Sequence, residues 1–429
     1  MRVMKGKRLS LGSRAALEIF TVILFVTSTY AATEKVLHNF NDNGTDGYTP
    51  FTGLILSPAG YLYGTTAYGG TGSCTVSGSV LGCGIVFELR PKAGGGWTET
   101  VVHSFNDNGI DGNTPYSSLT FDAHTGNLYG TTYGGGTYGY GTVFELTPNG
   151  VGGWTETVVH NFNDNGTDGY YPFTGLIVDA AGNLYGATFN GGAYGVGTVF
   201  ELTPSGGGVW TEAVLHNFND NGTDGYQPYG AGLILDSVGN LYGTTVDGGA
   251  YGVGTVFELT PSGGGVWTET ILHSFNDTPF TDGYGPTCGL IVDAAGNLYG
   301  TTTYGGHHCC GGYGTVFELT PTGAGSWTEK VLHSFEGKDG EQPWAGLVLD
   351  ASGNLYGTTY EGGAYGVGTV FELSPAVGGS WTETLLHSFH AMGGSNPVAG
   401  LIVDAAGNLY GTTAVGGAHG YGTVFEIIP

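Results

Sequence analysis

The sequence predicts an all-β fold, a seven-bladed β-propeller with four antiparallel strands per blade, and three observations lead there. The first is composition: 85 of 429 residues are Gly and 16 are Pro, while charged residues make up only 11%. Gly at about a fifth of the chain, against a usual share near ~7%, means collagen, a low-complexity coil or a turn-rich β protein. No Gly-X-Y register persists, and 40% apolar residues with 13% aromatics are too many for simple disorder. So few Lys, Arg and Glu also argue against a mainly helical domain. The second observation is a repeat carried seven times. The third is a strand absent from the last repeat and present at the start of the chain.

In chain order, residues 1–14 hold Arg2, Lys5, Lys7, Arg8 and Arg14, and a short apolar run, Ile19 to Val26, follows. Small residues at Thr29 and Ala31 then complete the pattern of a secretory signal peptide, residues 1–31, cleaved after Ala31. The apolar run is far shorter than the ~20 residues that span a bilayer. The expected mature chain, residues 32–429, is a single secreted domain, extracellular or periplasmic, with no membrane span and a monomeric state. Cleavage would move the net charge from −26 to −30, with Lys35, Arg90, Lys92, Lys330 and Lys338 as the remaining cations. Such a surface cannot neutralise a phosphate backbone or dock on anionic lipid, so nucleic acid and membranes are excluded as partners.

The repeat has three signatures. Val-Leu-His-Asn/Ser-Phe and its variants place His38, His103, His160, His216, His273, His333 and His387. Gly-Asn-Leu-Tyr-Gly-Thr-Thr places Tyr63, Tyr129, Tyr185, Tyr242, Tyr299, Tyr356 and Tyr410. Gly-Thr-Val-Phe-Glu-Leu places Phe87, Phe144, Phe200, Phe257, Phe317, Phe371 and Phe425. Residues 176–218 show how one unit reads: an apolar run to Asp179, a turn at Ala180-Ala181-Gly182, then Asn183 to Thr188. A Gly/Tyr loop leads to Thr198–Leu202, and a Pro/Gly turn to Trp210–Phe218, giving four short strands. Seven such units, burying their apolar faces against one another, make a propeller. The seventh unit stops after its third strand at Pro429, and Thr33–Phe40 supplies the missing fourth, which would close the ring and remove its open edge.

These three signatures resemble the GloVer tandem repeat of choice-of-anchor tandem-repeat GloVer-containing proteins, and the resemblance covers essentially all of the mature chain. It implies a secreted bacterial repeat protein of undefined activity with a variable carboxy-terminal surface anchor. Pro429 follows the last repeat directly, so a released rather than an anchored protein is expected.

Two loop types share one face of the predicted ring: Asn41–Gly47 with its relatives, and the Gly/Tyr loops such as Gly191–Gly197. The candidate ligand-binding residues are therefore Asp46, Asp111, Asp168, Asp224, Asp282 and Asp339, with Tyr138, Tyr194, Tyr251 and Tyr365 from the second loop type. To these are added Glu341 and Trp344, which break the repeat together with Lys338, His124, His390 and His419. The Asp-Asn-Gly-Thr-Asp-Gly loops permit two readings. Asp42, Asp46 and Gly47 occupy the first, fifth and sixth places of a calcium loop, but Gly44 stands at the third and no bidentate Glu follows. An Asx turn explains the same residues, and calcium at Asp42, Asp46, Asp164 and Asp168 stays open beside it; no other cofactor is expected. The seven His are expected to hydrogen-bond within their own blades, since positions spread round a ring cannot converge on one ion. The repeated Tyr and the Trp of Trp-Thr-Glu are expected to pack between blades and at blade edges.

His307-His308-Cys309-Cys310 could suggest zinc, but four consecutive residues cannot all face one tetrahedral ion. Secretion favours disulfides instead, Cys74 with Cys83 and Cys288 with Cys309 or Cys310. No Gly-x-Ser-x-Gly elbow, His-Glu-x-x-His or phosphate loop is present. Three functions fit. The first is a non-catalytic extracellular binder of a glycan or surface polymer, using the acidic, Tyr/Gly-rich face. The second is a polysaccharide-acting enzyme with its site at the central mouth of the ring, and the third a structural or adhesive surface protein. The near-identity of units two to four favours binding or structure over catalysis.

Overall fold

The third blade shows why these residues form these elements. Its strands are Ile177–Val178, Leu184–Thr188, Thr198–Pro204 and Trp210–Asn217, paired antiparallel in that order. The second strand, Leu-Tyr-Gly-Ala-Thr, is buried throughout, as expected for an inner strand covered on both faces. The fourth alternates between half-buried and exposed residues over its first half, as an outer strand should. The computed structural model describes residues 32–76, 78–150, 152–230, 232–278, 282–307, 312–323 and 325–429. The segment 1–31 read as a signal, and the His308-Cys309-Cys310 part of the insertion, lie outside the described residues.

Seven four-stranded sheets of this kind form the ring, and no helix occurs among the described residues. Thr33–Asn39 pairs with Thr423–Ile428 and completes the seventh blade, so the two chain ends close the ring. Lys35 strengthens that seam through an ion pair with Glu426 at 2.9 Å. Seven apolar clusters of buried residues divide the core, each joining side chains of adjacent blades. Phe162 and Phe200, for example, meet edge to face at 5.2 Å. The repeated Tyr packs on the Trp of the following blade, as Tyr129 does on Trp210 at 6.1 Å. Its phenol donates to the Glu of its own third strand, Glu145 in this blade, at 2.8 Å. A Cβ added at Gly186 would sit 2.6 Å from the ring of Phe200, which is why the second strand has Gly at this place.

Each fourth strand carries a β-bulge just before its His; in the third blade Val199 pairs with His216 and Phe200 with Val214, leaving Leu215 unpaired. The same shift occurs in all seven outer strands. Bulges re-aim the side chains beside them, and here they direct the seven His into the clefts between blades. Beyond the His, each loop is zipped to the Gly/Tyr loop of the blade it enters, as Gly169–Tyr170 pairs with Asn190–Gly191.

Cys74 and Cys83 form the expected disulfide. The expected pairing of Cys288 with Cys309 or Cys310 is corrected: Cys288 is a free, fully buried thiol. Its Sγ lies 2.9 Å from Thr301 Oγ1, the contact that Thr52 makes with Thr65 and Ser117 with Thr131 in other blades. Cys288 therefore fills a repeat slot for a small hydrogen-bonding side chain.

Candidate functional site

In every unit a Pro precedes the first strand, and the residue before that Pro takes a left-handed conformation. Thr49, Thr114, Tyr171, Gln227, Gln342 and Asn396 have φ between 55° and 58°, and Gly285 holds the place in the fifth unit with φ 61°. Side chains rarely adopt this region, and less readily still before Pro. The strain is held by two backbone hydrogen bonds. Tyr171, for instance, donates its N–H to Tyr140 O of the preceding blade at 3.0 Å and accepts from Phe189 N–H at 3.1 Å.

This step delivers the residue after each Pro to one place. Phe51, Tyr116, Phe173, Tyr229, Thr287, Trp344 and Val398, one from each blade, line a cavity of about 370 Å³ together with Tyr133 and Gly230. The aromatic arc is continuous over the first four blades: Phe51 meets Tyr116 at 5.4 Å, Tyr116 stacks on Phe173 at 5.6 Å, and Phe173 meets Tyr229 at 4.9 Å. Across from it Trp344 stacks flat on Tyr360, centroids 4.2 Å apart and planes at 9°. Thr287 and Val398 leave the wall lower on either side of Trp344. Below the aromatic mouth, Gly53, Gly289, Gly346 and Gly400 line a narrower space of about 200 Å³ with Ser118.

The mouth is apolar with a few hydrogen-bonding groups, the usual character of a small-ligand site. Burial and the hydrogen bond to Tyr68 hold the Tyr116 phenol well above its ordinary pKa, and burial does the same at Tyr229 and Tyr133. All three are neutral donors at any ordinary pH. Trp344 Nε1 is buried and has no hydrogen-bond partner. Among the described residues lining the mouth there is no Asp, Glu, His or Cys, so no carboxylate or imidazole base faces it.

Of the candidates named from sequence, only Trp344 lies in the mouth. Tyr138, Tyr194, Tyr251 and Tyr365 stand exposed on their loops, and Glu341 bridges Glu361 through the backbone, its carboxyl raised by burial and by that neighbour. The six Asp turn inward toward the His before them: Asp46 to His38, Asp111 to His103, Asp168 to His160, Asp224 to His216, Asp282 to His273 and Asp339 to His333, at 3.0–3.4 Å. The loop itself is an Asx turn, with Asn43 Oδ1 accepting from the N–H of Thr45 and Asp46. Asp42 and Asp164 stay on its exposed outer part, whereas Asp46 and Asp168 are buried.

The expectation that each His bonds within its blade needs correcting, because these contacts cross a blade boundary. The Glu of the next outer strand completes each group: Glu212 Oε1 lies 4.0 Å from His160, and Glu269 Oε1 3.7 Å from His216. Burial first, then the neighbouring Asp, pushes Glu99, Glu156 and Glu329 up to about 7, and Glu212 and Glu269 are raised by the same causes. The signal was present in the strand period, because Trp210, Glu212 and Val214 share one face and Trp210 was already expected at the blade edge. Phe51, Tyr116, Tyr133, Phe173 and Tyr229 were missed, although all of these but Tyr133 directly follow a Pro.

The model of the Gloeobacter/Verrucomicrobia repeat matches residues 22–177, 72–312 and 232–429. The chain belongs to this family. No curated protein matches it. Among solved structures it is similar to a candidate 6-phosphogluconolactonase from Bacteroides uniformis, with 12% identity, TM-score 0.48, and 79% of this chain and 87% of that one covered. A protein of unknown function from Dyadobacter fermentans is similar at 12% identity and TM-score 0.42, covering 82% of this chain and 96% of that one. Both likenesses are too loose to transfer an activity.

Proposed function

We propose that this member of the repeat family is a secreted, monomeric, non-catalytic binding protein whose aromatic mouth takes the end of a neutral glycan or surface polymer. The observation that carries the reading is the ring of side chains after the seven Pro residues, which places five aromatic rings around one cavity. The C–H faces of a sugar stack on aromatic faces, while its hydroxyls use the hydrogen-bonding groups around them. The phenols of Tyr116, Tyr133 and Tyr229 supply those groups, and Trp344 contributes its ring. The lining favours binding over hydrolysis, because glycoside cleavage ordinarily needs a pair of carboxyl groups across the scissile bond.

The test is a panel of immobilised neutral oligosaccharides and polysaccharides probed with residues 32–429. Binding should appear on a subset of the panel, disappear in Trp344→Ala, and persist in Tyr194→Ala on the outer loop. Failure to bind any glycan overturns the reading, as does undiminished binding by Trp344→Ala. Release of products from the panel would instead place a hydrolytic site in the ring.

A further inference from the structure

The clefts between blades carry groups that the aromatic mouth does not use. His103, Asp111 and Glu156 form one such group, His160, Asp168 and Glu212 a second, and His216, Asp224 and Glu269 a third. In each, one imidazole nitrogen and two carboxylate oxygens lie within 4.8 Å of one another. We propose that these three clefts bind divalent metal ions of the first transition row, with zinc as the type, each held by His from one repeat and Asp and Glu from the next.

Three features support this. The first is spacing. A tetrahedral ion with ligand bonds of about 2.0–2.1 Å holds its ligand atoms about 3.3–3.4 Å apart. His160 Nε2 is 3.4 Å from Asp168 Oδ2, and His216 Nε2 is 3.3 Å from Asp224 Oδ2. These separations are long for a hydrogen bond between charged groups, which closes to about 2.7–2.9 Å. The Glu oxygens stand slightly farther off, at 4.0 and 3.7 Å from the same nitrogens.

The second is unmet bonding capacity. His160 Nε2, Asp168 Oδ1 and Glu212 Oε1 are all buried, and the two carboxyl oxygens have only each other as hydrogen-bond partners, which requires a proton on one of them. Asp224 Oδ1 and Glu269 Oε1 repeat the pattern, as do Asp111 Oδ1 and Glu156 Oε1. The Asp168 and Asp224 side chains are only 8% exposed. Buried polar atoms are almost always partnered, so in each group a shared proton or a bound ion must supply the partner, and an ion satisfies the imidazole nitrogen as well.

The third is charge: two carboxylates and one imidazole face each other, with no Lys or Arg in the group. The imidazole ligand selects against calcium and magnesium, which take oxygen, and suits zinc and its neighbours. His103, His160 and His216 are each aimed by a bulge in the outer strand. The loop that carries Asp168 need not move to receive an ion, since Asp168 Oδ2 is already fixed by the N–H of Asn163 at 2.9 Å.

The experiment strips residues 32–429 with a chelator and measures bound metal after titration with zinc, manganese and calcium separately, with elemental analysis for stoichiometry. Zinc should bind at three equivalents and raise the melting temperature, and the triple variant Glu156→Gln, Glu212→Gln, Glu269→Gln should lose most of that uptake. Because neutral Gln keeps the shape of Glu, the metal-free variant should melt no lower than the metal-free parent. If the variant does not fold, direct zinc content of the parent and the shift of its His nitrogen resonances on zinc addition still decide. No uptake by the parent, calcium uptake without zinc uptake, or unchanged zinc uptake in a folded triple variant overturns the proposal. It stands or falls apart from the glycan reading, since neither readout involves the mouth.

Discussion

Replacing Trp344 by Phe should separate binding from stability. In the free protein Trp344 Nε1 is a buried donor without a partner, and such a group costs about 1–3 kcal/mol. Phe removes the orphan and keeps an aromatic ring where Trp344 now stacks on Tyr360 at 4.2 Å. Against that stands the lost area of the larger indole, about 1 kcal/mol at ~25 cal/mol per Å². The net expectation for Trp344→Phe is a change between about 0 and +2 kcal/mol in favour of the folded state. An unfolding entropy of about 2.1 cal/mol/K per residue makes each kcal/mol worth only ~1 °C in a domain this large. Chemical denaturation is therefore the better assay, with the midpoint read at constant m-value. In parallel, affinity for the glycan found with the parent should change by less than about 5-fold, since Phe keeps the ring and the buried Nε1 offers the ligand no hydrogen bond. A variant destabilised by more than about 2 kcal/mol would show that the indole is chiefly structural. A loss of affinity beyond about 10-fold would show that the N–H meets the ligand and refute the burial argument.

Two further predictions concern the scaffold. Gly186→Ala should destabilise by about 1–3 kcal/mol through overpacking, because the new Cβ would lie 2.6 Å from Phe200. Gly182→Ala, at φ 86° with open space around it, should cost about 1 kcal/mol through backbone strain alone; Asn should partly rescue position 182 and worsen 186, and equal behaviour at the two sites would refute the distinction. The second concerns alkaline pH. Burial raises the repeated phenols, helped by neighbouring Glu carboxylates, and Tyr356 is pushed up to about 12, with Glu372 and Asp350 as its charged neighbours. A raised folded-state pKa means the contribution is complete below the unfolded value near ~10 and is lost as pH climbs through the folded value. Denaturation midpoints should therefore fall above about pH 10, with tyrosinate absorbance rising together with unfolding, and Tyr356→Phe should flatten its share of that slope. Tyrosinate forming while the fold stays intact would contradict the buried, carboxylate-bound placement.

The ring, its seam and its blade contacts were legible because they depend on what each unit repeats. Leu-Tyr-Gly-Thr-Thr needs a covered inner strand, and Thr33–Asn39 supplies what the last unit lacks. The mouth was not legible by the same means, because its residues are those that vary: Phe51, Tyr116, Phe173, Tyr229, Thr287, Trp344 and Val398 share only the Pro before them. Trp344 was noticed as an exception to the repeat, whereas Phe51 and Tyr116 looked like ordinary members of it. Cys288 misled for a related reason. Its chemistry suggested a disulfide, yet its position required only a small group able to reach Thr301. The interblade groups were half visible, since the His and Asp lie close in sequence while the Glu lies at the far end of the repeat that the Asp opens.

The pattern of constancy and variation within the chain has a physical origin. A residue such as Glu212 contacts His160 of the preceding repeat, so changing it alone leaves a buried polar atom on a neighbour that still carries the old sequence. Every repeat is bound in this way to the one before it, and even at His387, where the loop has no Asp, the contact with Glu34 is kept at 3.5 Å. The residue after the Pro is under no such tie. Its backbone is held by the left-handed step and its two hydrogen bonds, while its side chain projects into a cavity shared by all seven blades. That position can become Phe, Thr, Trp or Val without disturbing a blade interface. A uniform ring thus acquires an asymmetric mouth at positions where asymmetry costs the scaffold little, with its wall lowest at Thr287 and Val398.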